Sequence, residues 1–135
     1  MQLYWDPVDP IVYVDDLQDR SLLLQVAVGD DEVTNLGSET LARSAGWPML
    51  TPSATTPEGL SGQDAPGFGP VLVQFDPEMG NPEQGNVPMD RTGAHREPRT
   101  WEATKLQTLT FLGAETQGQV VHYCGTEVCT IESSP

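Results

Sequence analysis

Apolar and polar positions fall into short blocks, and two of these blocks read as strands. Residues 21–28, SLLLQVAV, are apolar except for Ser21 and Gln25. A run of that length with no polar face suits a strand buried on both sides, as in a parallel sheet. Gly29 ends it. Residues 70–75, PVLVQF, form a second such strand.

Helical spacing surrounds these strands. Asp9 before Pro10, followed by Ile11, Val12, Val14 and Leu17 among polar positions, predicts a short helix over 10–18. Asn35 is a suitable N-cap for a helix from Leu36 to Ala45 that turns Leu36, Leu41 and Ala45 inward. Gly46 stands where a left-handed residue closes a helix, and Pro48 prevents continuation. Thr100 caps a third helix reaching Leu112, with Glu102 near its positive end and Ala103, Leu106, Leu109 and Leu112 as its apolar stripe. Residues 51–69 and 76–99, rich in Pro, Gly and polar side chains, read as long loops. A short strand is expected around Val120–Tyr123.

Helix, strand, helix, loop, strand, loop, helix and tail is the order of an α/β layer with a parallel sheet. A single unit over 1–135 is expected, with 113–135 as its tail. Two strands make a poor sheet, and strands buried on both faces demand neighbours. The pattern therefore reads as part of a larger layer, without an internal repeat to supply the rest.

Composition narrows the partners. The 135 residues include 13 glycines and 12 prolines, so much of the chain is irregular. The formal net charge of −14 repels phosphate backbones and anionic membranes, which excludes nucleic acid as the natural partner. No run reaches the length of a membrane span, and the opening MQLYWDPVDP lacks the basic start and apolar core of an export signal. Arg91, Arg96, Arg99 and Lys105 locally reverse the sign. They read as a solvated loop, with contact to an anionic substrate as the alternative.

Cys124 and Cys129 lie in one short stretch, CGTEVC, after His122. A short-loop disulfide is the favoured reading, and it implies an oxidising, extracytoplasmic compartment. Unbonded thiols are the alternative. A zinc site is disfavoured because His122 supplies only a third ligand. His122 itself reads as structural, and no cofactor or metal is expected.

Chemistry-bearing residues cluster just beyond strand ends, where open α/β sheets place their sites. Asp30 follows the first strand within GDDEVTN, and His95 follows the second, ahead of the last helix. An acid that orients an imidazole, which then takes a proton from a nucleophile, needs that pairing. Asp31 and Glu32 read as solvated neighbours. Calcium is disfavoured because DDE lacks the spaced oxygen ligands of a calcium loop. Asp90 is a less favoured partner for His95, and Trp5, Trp47 and Trp101 are expected to pack on the sheet, with Trp47 a candidate for the cleft wall.

The pattern of a strand, G-D-x-x-V-T-N, a second strand, and a His ahead of a helix with Q-x-x-x-F-L resembles the C-terminal part of an α/β-hydrolase over residues 6–112. It is similar to bacterial lipases and esterases whose tails carry a Cys pair. The resemblance implies an α/β-hydrolase-like layer containing the last two parallel strands. It also implies a Ser–acid–His triad in that chain order, acting on esters, with Asp30 as acid and His95 as base. The nucleophile is missing from the pattern. Ser44, in ARSAG, sits at a predicted helix end after the acid, while Ser21 and Ser61 lack the required strand-to-helix turn. The chain is thus expected to be inactive alone and to need a nucleophile-bearing N-terminal part. The alternatives are a non-catalytic module that pairs through an exposed sheet edge, or an incomplete gene product.

Overall fold

The computed structural model describes residues 6–79 and 91–132. Trp5 and Asp90 lie outside them. The described residues start with 3-10 turns at Asp6–Val8 and Pro10–Tyr13 that run into helix α1 (Val14–Leu17). Asp9 starts the second turn by accepting the Ile11 amide at 3.0 Å. The elements that follow are β1 (Leu23–Ala27), α2 (Asn35–Ala45), β2 (Met49–Thr51), β3 (Gly62–Asp64), β4 (Gly67–Phe68), β5 (Val71–Phe75), α3 (Glu102–Leu112) and β6 (Gln119–Val120).

Four strands form one sheet in the order β1-β5-β2-β3, every pair parallel. The fold is therefore α/β with a mostly parallel sheet and flanking helices. Strand β5, whose five residues are all buried, enters between β1 and β2. A second, antiparallel pair joins β4 to β6. The stretch 51–69, expected as loop, thus holds β3 and β4 and the last residue of β2. Runs of two or three residues carry no periodicity, and their pairing is set by the chain beside them.

Both sheet faces are covered. Leu22, Leu24, Val26 and Leu72 pack with Ala42 and Ala45 of α2 and with Val14 and Leu17 of α1. The opposite face joins Leu23, Val71, Val73 and Phe75 to Trp101, Ala103 and Phe111 of the α3 segment, and to Cys124 and Cys129. Phe75 meets Trp101 edge-on, with ring centroids 6.2 Å apart. Full burial of side chains such as Phe75, Leu50 and Leu72 stabilises the fold by about 1.5–3 kcal/mol each. Trp47 belongs to this core and not to a cleft wall: it is buried with Met49 and Leu72.

Helix details depart from the sequence reading in instructive ways. Gly46 closes α2 in the left-handed conformation, φ 69°, as its position requires. Asn35, however, is the first helical residue; Thr34 occupies the cap position, and the Asn35 side chain serves β1 instead. Leu36 is largely exposed. On α3 the buried positions are Ala103, Thr104 and Gln107, while Leu109 and Leu112 face solvent. A spacing of three falls short of the 3.6-residue turn by about 60° per step, so the leucine stripe rotates off the buried face. Thr100 bonds the Glu97 carbonyl and does not cap α3.

The tail is tied down by the Cys124–Cys129 disulfide, whose Cα atoms are 5.3 Å apart. The Cys129 carbonyl accepts the Asp76 amide at 2.7 Å, which pins the tail to the end of β5.

Candidate functional site

The loop after β1 is built around side-chain bonds to its own backbone. Gly29, at φ 71°, turns the chain in a conformation that L side chains rarely adopt. The Asn35 amide then clips the loop to the strand: Oδ1 accepts the Gly29 N–H at 2.8 Å, and Nδ2 donates to the Ala27 carbonyl at 2.6 Å. Asp30 Oδ1 accepts the amides of Glu32 and Val33 at 2.8 and 2.7 Å, so its carboxylate cannot swing. The other oxygen, Oδ2, is left facing outward from the strand end.

That oxygen lies 2.8 Å from His95 Nδ1. The two side chains are only 9% and 14% exposed, respectively, so water screens the pair weakly. Arg99 Nη2 stands 2.7 Å from the opposite ring nitrogen, Nε2. A guanidinium only donates, so Nε2 must accept, which puts the proton of the neutral ring on Nδ1, where it is donated to Asp30. The lone pair of Nε2 is thereby directed away from the acid.

Asp31 does a different job from the solvated role expected of it. It is buried, and its oxygens accept the backbone amides of Gly93 at 3.0 Å and His95 at 3.1 Å. The Gly93 amide, followed by that of His95, holds its carboxyl below the usual carboxylate range, against the opposing effect of burial. Adjacent acids thus divide the work, Asp30 bonding the ring of His95 and Asp31 its backbone. The turn that carries His95 is also closed by Arg96 N–H donating to Gly93 O at 2.9 Å, and Ala94 is fully buried beneath it. Glu32 is half-exposed, with one oxygen 3.9 Å from His95 Nε2 and the other 3.6 Å from Arg96.

The sequence reading names Asp31 and Arg99 but gives neither its bond to His95. Asp31 was hidden by standing next to the better-spaced Asp30, and Arg99 by the exposed loop around it. The signal for Arg99 was its spacing of four from His95, which brings two side chains onto one side of a helical turn.

A cleft of about 450 Å³ opens beside the pair, bounded by Asp30, His95 and Arg99 at one end and by Leu24, Val26 and Phe75 along its length. Ser38, from the first turn of α2, lines it, yet among the described residues no hydroxyl hydrogen-bonds to His95. Ser44 sits in the last turn of α2, a helix about 15 Å long whose first turn adjoins the Asp30 loop. Ser21 precedes β1, at the opposite strand end from Asp30, and Ser61 precedes β3.

The group of His122, Cys124 and Cys129 lies apart from this cleft. His122 Nε2 is 3.9 Å from Cys129 Sγ, but the two sulfurs are bonded to each other and offer no thiolates to a metal. Burial lowers the His122 pKa, with the carbonyls of Pro52 and Gly125 opposing it. No helix of the described residues is long and apolar enough to cross a membrane.

The chain matches no protein-family model, no curated protein and no solved structure.

Proposed function

We propose that this chain is the acid- and base-bearing part of a serine hydrolase acting on carboxylic esters, and that the nucleophilic hydroxyl comes from polypeptide outside it. The observation that carries this reading is the 2.8 Å contact between Asp30 Oδ2 and His95 Nδ1 at the mouth of a cleft. An imidazole whose Nδ1–H is held by a carboxylate keeps its Nε2 lone pair for proton transfer. It takes the proton of an attacking hydroxyl and returns it to the departing alkoxide, while the carboxylate stabilises the imidazolium in between. Asp30 is fixed for that task by the Glu32 and Val33 amides, and Asp31 holds the loop.

Arg99 occupies Nε2 in this chain, on the side where a hydroxyl would have to donate. The chain alone is accordingly expected to turn over no ester. The test joins it to the polypeptide encoded directly upstream and follows p-nitrophenyl butyrate hydrolysis. His95→Ala is expected to lower kcat by about 10³-fold or more. Activity that survives His95→Ala rules the reading out.

A second reading, a non-catalytic module that pairs through its sheet edge, is favoured by one observation: among the described residues, β1 has a strand on one side only.

A further inference from the structure

The outer edge of β1 carries a specific pattern of unused hydrogen-bonding groups. Val71 N–H donates to Leu22 O at 3.1 Å and Val28 N–H to Phe75 O at 2.8 Å. In a parallel ladder this fixes the alternation: residues 22, 24, 26 and 28 bond to β5, and residues 23, 25 and 27 point their N–H and C=O groups outward. Among the described residues, the outward groups of Leu23 and Gln25 and the N–H of Ala27 meet no backbone partner. The exception is at the top of the edge. The Asn35 amide donates to Ala27 O and accepts from Gly29 N–H. That is the pair of bonds a residue of a parallel neighbour makes when it sits opposite residue 28. Asn35 ends the edge with a side chain that copies the bonding of one residue of a parallel neighbour.

The cleft described above runs along this edge. Leu23, Leu24, Gln25, Val26 and Ala27 form its floor, with Val33 and Ser38 on the α2 side and Pro98 and Thr104 on the α3 side. Thr104 is 8% exposed, and its Oγ1 has no hydrogen-bond partner although it is buried. A buried hydroxyl without a partner is a cost to the fold and marks this wall of the groove as incompletely satisfied.

We propose that this groove is the seat of one extended peptide strand running parallel to β1, contributed by the same outside polypeptide that supplies the nucleophile. One of its residues bridges Leu23 C=O and Gln25 N–H, the next but one bridges Gln25 C=O and Ala27 N–H, and Asn35 completes the row. The strand is apolar on both faces, because helices α2 and α3 flank the sheet on its two sides. Its carboxyl end emerges beside Asp30 and His95, so it forms a wall of the reaction cleft. A second copy of this chain does not fit. Two β1 edges related by a two-fold axis perpendicular to the strands run antiparallel, whereas the Asn35 bridge has the parallel pattern; an axis along the strands sets the outward groups of 23, 25 and 27 level with their copies, without the stagger a parallel ladder needs.

The proposal rests on the hydrolase reading for the source of the strand, but its test is blind to hydrolysis. The probe is the peptide acetyl-KVLVVLVK-amide, added at up to about 1 mM to the isotope-labelled chain and followed by amide hydrogen exchange and NMR. Exchange at Gln25 and Ala27 is expected to slow, while Leu24, Val26 and Val28, already bonded to β5, are unchanged. N-methylation of the peptide amides that face β1 is expected to weaken binding by about tenfold or more. A spin label on the carboxyl end is expected to broaden the signals of Asp30 and His95. No protection at about 1 mM, equal binding of the methylated peptide, or broadening at Ser21 and Leu22 instead each overturns the proposal. Sizing that shows a dimer with Gln25 and Ala27 already protected overturns it too. Hydrolysis by the joined polypeptide that survives His95→Ala, with these protections intact, removes the catalytic reading and leaves the strand seat standing.

Discussion

Asp31 holds His95 by its backbone: one carboxylate oxygen accepts the His95 amide and the other accepts that of Gly93. Ionised Asp31 thereby helps to hold the turn that presents the His95 ring to Asp30. A carboxyl whose folded pKa is depressed contributes stability that is fully present above its unfolded value, here 3.8, and is lost as pH falls through the folded value. Denaturant midpoints are expected to drop below pH 3.8 in the parent chain. Asp31→Asn is expected to be less stable than the parent at pH 6, with the gap narrowing as the parent's carboxyl protonates. A constant gap from pH 6 to pH 2 contradicts this account.

Arg99 shields the free nitrogen of His95. A single exposed hydrogen bond is worth about 1 kcal/mol, or roughly fivefold in accessibility. Carbethoxylation of His95 by diethyl pyrocarbonate, read by mass spectrometry, is expected to accelerate by about that factor in Arg99→Ala. Arg99→Lys is expected to recover little of the protection, since the ammonium lacks the planar fork of the guanidinium.

Asn35→Ala is expected to cost roughly 1–3 kcal/mol in urea unfolding, the worth of two short hydrogen bonds to the end of β1. Asn35→Asp keeps one acceptor for Gly29 but turns a carboxylate toward the Ala27 carbonyl, and it is expected to be at least as damaging.

The disulfide closes a loop with a sequence separation of 5. On the loop-entropy relation its removal costs about 2 kcal/mol. Cys124→Ala with Cys129→Ala is expected to lower the unfolding free energy by that amount. His122, packed beside it, adds a pH dependence. Because burial lowers its folded pKa, its protonation is opposed by folding, and stability falls as pH drops below the unfolded value of 6.5. An unfolding free energy that stays flat between pH 7.5 and pH 5.5 excludes this.

The parts legible in the sequence were those whose signal is local. SLLLQVAV and PVLVQF announce β1 and β5 because a strand buried on both faces needs an unbroken apolar run. Asp30 and His95 could be paired because each follows one of two strands that lie side by side and parallel, which brings their carboxyl ends together. Less visible were choices made by tertiary contact. Strands β2 and β3 are three residues each, and nothing in their own spacing marks them. Asn35 carries the preferences of a helix cap, and only the nearness of Ala27 and Gly29 redirects its amide. Asp31 differs from Asp30 by one position, and its burial depends on a loop that arrives 62 residues later.

The placement of β5 between β1 and β2 also dictates when the sheet can form. Neither earlier strand touches the other; both wait for residues 71–75. During synthesis, β2 can pair only with β3, and β1 emerges with no ladder to join. The four-stranded sheet is completed only after Phe75 has left the ribosome. Such late, non-local closure places folding in the slow range of milliseconds to about seconds. A chain cut before Val71 has no central strand, and with it no means of bringing β1 and β2 into one sheet.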